Sequence, residues 1–325
     1  VPAPLFPFLI HSIPYPFWSF SMNITDIQSR VMLCSVTISS WVARRFDEKV
    51  TEEVETRHDT KGIGRFNKRL LPENAPSFKE VVSLGGRIRR YFYDHTLEYN
   101  QLSVRLLPTN IYMEFSAQMR KMKDEFDLAV QVFLTDYLDL KEQARLEMNG
   151  LFNEADYPTL AQLGEKFGVR MAVLPFPDAS QFGVDLPEDV LTSLRSEIDQ
   201  HVLRSIEDAN QDIVRRLYDA VSAMANRLYA AGGVRIDVAD NVRELCGLLP
   251  KLNFSNDPQL NHILEQANRH LAVHNGVDLK ESEVLRSQVA AKATEIEELM
   301  EAFMGGKPHM AMPEPGQAPQ LRIAA

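Results

Sequence analysis

Two stretches of this chain carry apolar residues at alternating steps of three and four over lengths that few folds can accommodate. One runs from Tyr112 through Phe126 and Phe133 to Ala144, the other from Leu191 through Ile206 and Leu217 to Leu228. That spacing keeps a single helical stripe turned toward a partner. At a rise of about 1.5 Å per residue, the two helices extend roughly 60 Å and 65 Å. Neither rod can shield its stripe from water alone, so antiparallel packing of one on the other, with an N-terminal helix alongside, is the economical arrangement. The expected fold is mainly α: an elongated helical bundle with two long antiparallel coiled-coil-like helices and at most a small β element.

The remaining elements follow from caps and breakers. Thr25 with Gln28 reads as a capping box, and Ile27, Val31, Cys34, Ile38, Val42, Phe46, Val50 and Val54 continue at helical spacing, predicting one helix of about nine turns. Gly62 and Gly64 interrupt it in a basic loop, Lys61 to Pro72. Ser77 with Glu80 then opens a second helix running to about His95. Thr109 is placed to cap the first rod and Asn149-Gly150 to stop it. Pro158 begins a short helix, and Val169 to Leu174, bounded by Gly168 and Pro175, reads as a short strand. Pro187 opens the second rod and Gly232-Gly233 ends it. Three shorter helices follow, one over Asp240 to Leu249, one from Asp257-Pro258 and one from Asp278 with Glu281. The expected division is a leader over 1–21, a helical region with a basic loop over 22–185, the second rod with its short helices over 186–304, and a disordered tail over 305–325.

Composition excludes wholesale disorder, since hydrophobic residues make up 45% and charged residues 25% of the 325. The net charge of -10 is unevenly placed. Residues 22–123 hold 17 Lys/Arg against 12 Asp/Glu, leaving 18 against 33 for the rest, so the front is basic and the rear acidic. The two cysteines, Cys34 and Cys246, are far apart within apolar patterns, which fits a reducing compartment and predicts a cytoplasmic protein. The first 21 residues are apolar but broken by five prolines, with no basic start or small-residue cleavage site. That argues against a signal peptide or membrane anchor and makes Met22 the expected natural start.

Chemistry-bearing constellations are few. Arg57, Lys61, Arg65, Lys68, Arg69, Lys79, Arg87, Arg89 and Arg90 are interleaved with Phe66, Tyr91, Phe92 and Tyr93. Cations neutralise phosphates and aromatic rings stack on unpaired bases, so this 57–93 segment is a candidate surface for single-stranded nucleic acid. The plainer reading docks the segment on the chain's own acidic half, with its aromatics in the core. Lys61-Gly62-Ile63-Gly64-Arg65 has glycines like those of a phosphate-cradling loop, but no Gly-Lys-Ser/Thr follows. His270 and His274 lie four apart without an HExxH pattern, and no nucleophile elbow is present. The sequence therefore gives no positive sign of an enzyme and calls for no cofactor or metal.

The run Trp41-Val-Ala-Arg-Arg45, Asp47, Val50-Thr51, Glu53-Val54, His58, Gly64-Arg-Phe-Asn-Lys68 and Leu70-Leu-Pro72 resembles an uncharacterised family of bacteriophages and prophages. Arg105-Leu-Leu-Pro108, Phe152, Asp156-Tyr-Pro158, Pro175-Phe-Pro177 and Phe182 are similar to its later landmarks, so the likeness spans about Met22 to Asp185. Such proteins are commonly encoded beside a MoxR-type AAA+ ATPase and a protein with a von Willebrand type A domain. The resemblance implies a phage-encoded adaptor or scaffold accessory to that ATPase system, in the bacterial host cytoplasm, with homo-oligomerisation left open. It brings no catalytic residues. It draws attention to the loop carrying His58, Lys61, Arg65, Asn67, Lys68 and Arg69 as a contact surface, with Arg87, Arg89 and Arg90 beyond it. The same loop reads equally well as a cap that orients the first helix.

Overall fold

The structure, a computed structural model, describes residues 24–99, 103–181, 184–229 and 237–305. The leader over 1–21, the Gly232-Gly233 stop, Phe182 and all of the tail but Gly305 lie outside the described residues.

The N-terminal part differs most from the helical expectation. A single short helix, α1 (Ile24–Gln28), gives way to strand β1 (Val31–Ser39), and the predicted nine-turn helix does not form. Val31, Val36, Thr37 and Ile38 are β-branched and favour a pleated surface. Ala43, whose φ of 51° lies in the left-handed region, leads to β2 (Arg44–Phe46) and the ten-residue α2 (Glu48–Arg57). Next come β3 (Asn67–Arg69), α3 (Pro76–Asp94), β4 (Leu97–Glu98) and β5 (Arg105–Pro108). The first rod is α4 (Tyr112–Met148), stopped by Asn149 at φ 46° as its sequence requires. After it stand α5 (Leu160–Gly164), with a complete Thr159/Gln162 capping box, and the expected strand, β6 (Gly168–Pro175). The second rod, α6 (Glu188–Tyr229), leads to α7 (Asp237–Leu252), α8 (Pro258–His270), α9 (Gly276–Glu281) and α10 (Glu283–Phe303).

Four strands form one antiparallel sheet in the order β4-β5-β1-β6, and β2 pairs with β3 in a separate hairpin. β1 is thus a central strand, with Leu33 opposite Leu106 on one side and Leu174 on the other. The chain is mainly α with this small antiparallel sheet.

Two predicted caps are displaced. The second helix starts at Pro76 rather than on Ser77, and the buried Ser77 hydroxyl has no hydrogen-bond partner. Thr109 begins a single 3-10 turn, and its N–H and hydroxyl donate to the Arg30 carbonyl at 2.8 Å and 3.1 Å instead of capping α4.

Nor do the two rods shield one another. α4 lays its stripe along α3, and α6 packs along α10 and α7. The physical reason lies in what else is available. Val81, Leu84, Ile88 and Phe92 give α3 an apolar face, and Val289, Ala293, Ile296 and Met300 give one to α10, so each rod has a nearer partner. Around α4 the core is aromatic: Phe133 touches Trp41, Phe78, Tyr137 and Phe167, with ring centroids 5.2–6.4 Å apart. Each buried large side chain contributes about 1.5–3 kcal/mol relative to exposure.

Candidate functional site

The basic loop is built onto a hairpin. β2 and β3 pair with Arg45 opposite Lys68 and Phe46 opposite Asn67, and α2 with residues 58–66 fills the span between them. The Asp47 carboxylate accepts from the Val50 N–H at 3.2 Å and caps α2, while its own N–H donates to the Phe66 carbonyl at 2.9 Å. Thr51 donates its hydroxyl to the Asp47 carbonyl at 2.8 Å and accepts from the Phe66 N–H at 3.1 Å. Glu55 accepts from the Gly62 N–H at 2.7 Å, and Gly62 takes the left-handed φ of 70° that glycine permits. Local polar bonds therefore hold this arm, because α2 itself has no buried residue.

Lys68 anchors the arm. Its side chain is 7% exposed, and its ammonium lies 2.8 Å from both Asp47 and Asp156 carboxylates while donating to the Leu151 carbonyl at 3.0 Å. Burial alone would lower the Lys68 pKa, but the hydrogen bonds it donates to Asp156 and Asp47, with their charges, outweigh burial and raise it above its ordinary value. The Lys68 hydrogen bond, with that from Val50, holds the Asp47 carboxyl below the usual carboxylate range.

The other sequence-selected residues are dispersed. His58 ends α2, and Lys61 and Asn67 are exposed. Arg65 sets its guanidinium 4.5 Å over the Phe46 ring, Arg69 reaches Glu73 at 3.6 Å, and Arg87 bonds Glu80 at 3.0 Å. Arg89 and Arg90 are exposed on α3. His58, Gly64 and Arg65 line a groove of about 440 Å³ with Val54, Ile63 and Phe66. The aromatics of the segment are largely used internally. Phe92 is in the core, Tyr91 stacks on His95 and Phe115, and the Tyr93 ring lies under Arg105 at 4.7 Å.

A second polar centre, absent from the sequence reading, joins the sheet to the second rod. Asp212 on α6 pairs with Arg215 and, at 2.7 Å, with Arg216. Arg216 also donates to the Asp94 and Thr96 carbonyls at 3.0 Å and 2.7 Å, satisfying carbonyls at and just past the end of α3. From β5, Arg105 donates to the Thr96 hydroxyl and carbonyl at 2.7 Å and 3.0 Å. Burial, then the neighbouring Arg216, lower the Arg105 pKa, and Asp212 opposes them. This network borders a cavity of about 830 Å³ whose walls mix both charges, among them Glu98, Glu244 and Lys251. Asp212, Arg215 and Arg216 lie at helical i,i+3 and i,i+4 spacing, but their junction with Arg105 and Thr96, more than a hundred residues away, has no local pattern to read.

Among the described residues, no group of three His, Cys, Asp or Glu side chains is disposed to hold a metal, and no helix is long and apolar enough to cross a membrane. No protein family, curated protein or solved structure matches the chain.

Proposed function

We propose that the chain is a helical adaptor or scaffold, phage-encoded and accessory to a MoxR-type AAA+ ATPase and a von Willebrand type A domain protein in the bacterial host cytoplasm. The observation that carries the docking part is the arm. α2 and its loop contribute nothing to the core, yet Val54, Ile63 and Phe66 stand exposed there, Ile63 to 80%, on a frame rigidified by polar bonds. Apolar side chains held outward on a bonded frame suit protein association. The partners named are those that the family resemblance implies. Co-purification of the chain with each neighbouring gene product, with and without ATP, tests the reading, and recovery of neither abandons it.

Single-stranded nucleic acid is the second reading, favoured by the exposed Arg89 and Arg90 on α3. Binding to single-stranded DNA that weakens with salt and is lost on reversing Arg65, Arg87 and Arg90 supports it; binding unchanged by those reversals removes it.

A further inference from the structure

Where β1, the β2–β3 hairpin and the start of α3 meet, the surface holds a groove of about 490 Å³. Its floor is the half-buried edge of Trp41 and Phe78, whose rings meet edge-on at 6.1 Å. Its lips are Val42 and Val82, exposed to 72% and 52%. Ala43 is buried and takes a left-handed φ of 51°, while its neighbour Val42 stands out. Large apolar side chains left outward around a concave floor are the anatomy of a pocket for an inserted side chain.

The rim is cationic. Arg44, Arg69 and Lys79 line it against one carboxylate, Glu73, which Arg69 approaches only to 3.6 Å. Arg44 and Lys79 form no ion pair among the described residues. We infer that this groove docks an acidic peptide segment of a partner protein, its bulky apolar side chain seated on Trp41 and Phe78 and its carboxylates paired with Arg44, Arg69 and Lys79. The aliphatic lips and the burial of a Trp41 face against Phe133, stacked at 6.4 Å, favour a side chain over a stacked base. The inference rests on the adaptor reading only in naming the chemistry of a docked segment.

The probe is a short fluorescein-labelled peptide with a Leu-Phe centre between flanking glutamates, titrated with the full chain and followed by anisotropy. Binding is expected to weaken with salt and to fall about tenfold or more in the Arg44→Glu/Lys79→Glu double variant and in Val42→Asp. A counterpart flanked by lysines, and one with serines at its centre, are expected not to bind. These sites are exposed, and thermal melts check the fold; should Val42→Asp unfold, the double variant still decides. Absence of binding, equal binding of the lysine peptide, indifference to the variants, or displacement of the peptide by oligothymidylate overturns the inference. The two readings fail separately. Peptide binding without recovery of the neighbouring gene products defeats only the adaptor reading, and their recovery by a double variant that has lost nothing defeats only the groove.

Discussion

Lys68→Met is the sharpest test of how the arm is held, because it removes the ammonium while keeping most of the stem. Asp47 and Asp156, only 12% and 11% exposed, lose their shared cation, and Asp156 keeps only the Arg45 guanidinium at 3.6 Å. Breaking a buried pair by deleting one partner costs about 3–5 kcal/mol, whereas an exposed pair is worth about 0–1 kcal/mol. Because a little water reaches both carboxylates, we expect about 3 kcal/mol at neutral pH. That is a large share of the roughly 5–15 kcal/mol that keeps a domain folded. Urea unfolding followed by circular dichroism reads it. The sign with pH follows from both shifts. Lys68 is raised from 10.5, so its contribution is complete below that value and disappears as pH climbs through the higher folded pKa. Asp47 is lowered from 3.8, so its contribution is present above that value and is lost as pH falls through the lower folded pKa. In the variant Asp47 has lost the Lys68 hydrogen bond that lowers its pKa, so its protonation costs less than in the parent chain and the deficit shrinks in acid. A cost under about 1 kcal/mol, or a deficit independent of pH, would refute the reasoning.

Phe133→Ala empties the centre of the aromatic cluster and is expected to cost about 3–5 kcal/mol in the same unfolding assay. Arg216→Met leaves Asp212 less paired, the Asp94 carbonyl bare and the Thr96 carbonyl with Arg105 alone, with an expected loss of about 2–3 kcal/mol and faster amide exchange at the end of α3. Burial pushes the Cys34 and Cys246 thiols up to about 12 and about 11, so at pH 8 neither is expected to react with a thiol reagent until the chain is unfolded.

The sequence made the two rods, the Asn149 stop and β6 legible because long periodicity and turn chemistry are local properties. β1 escaped for a physical reason. Paired on both sides, it buries Val31, Leu33 and Cys34 with little alternation, and a dense apolar run satisfies helical spacing as readily as strand pairing. Two signals pointed the other way: its β-branched content, and Asp47, whose carboxylate marks the true start of α2. The pairing of the rods was misjudged because periodicity says that a stripe must be covered without saying by what. α3 and α10, each amphipathic, were equally eligible covers.

The site shows the same limit in charge. A count of cations along 57–93 treats Lys68 like Lys61, yet one is locked between two carboxylates and the other is free in solvent. Asp47, Lys68 and Asp156 are far apart in sequence and converge on that one buried triad, and Trp41 seats itself on Phe133. The triad is satisfied internally, whereas Trp41 packs one face on Phe133 and keeps a half-buried edge on the groove floor. Val42 and Arg44, in the same run as Trp41, face solvent and frame the groove over it. Substituting the triad should therefore lower stability and partner binding together, whereas the Arg44→Glu/Lys79→Glu pair should lower binding at unchanged stability. Equal unfolding midpoints with unequal peptide affinity separate a scaffold residue from a contact residue.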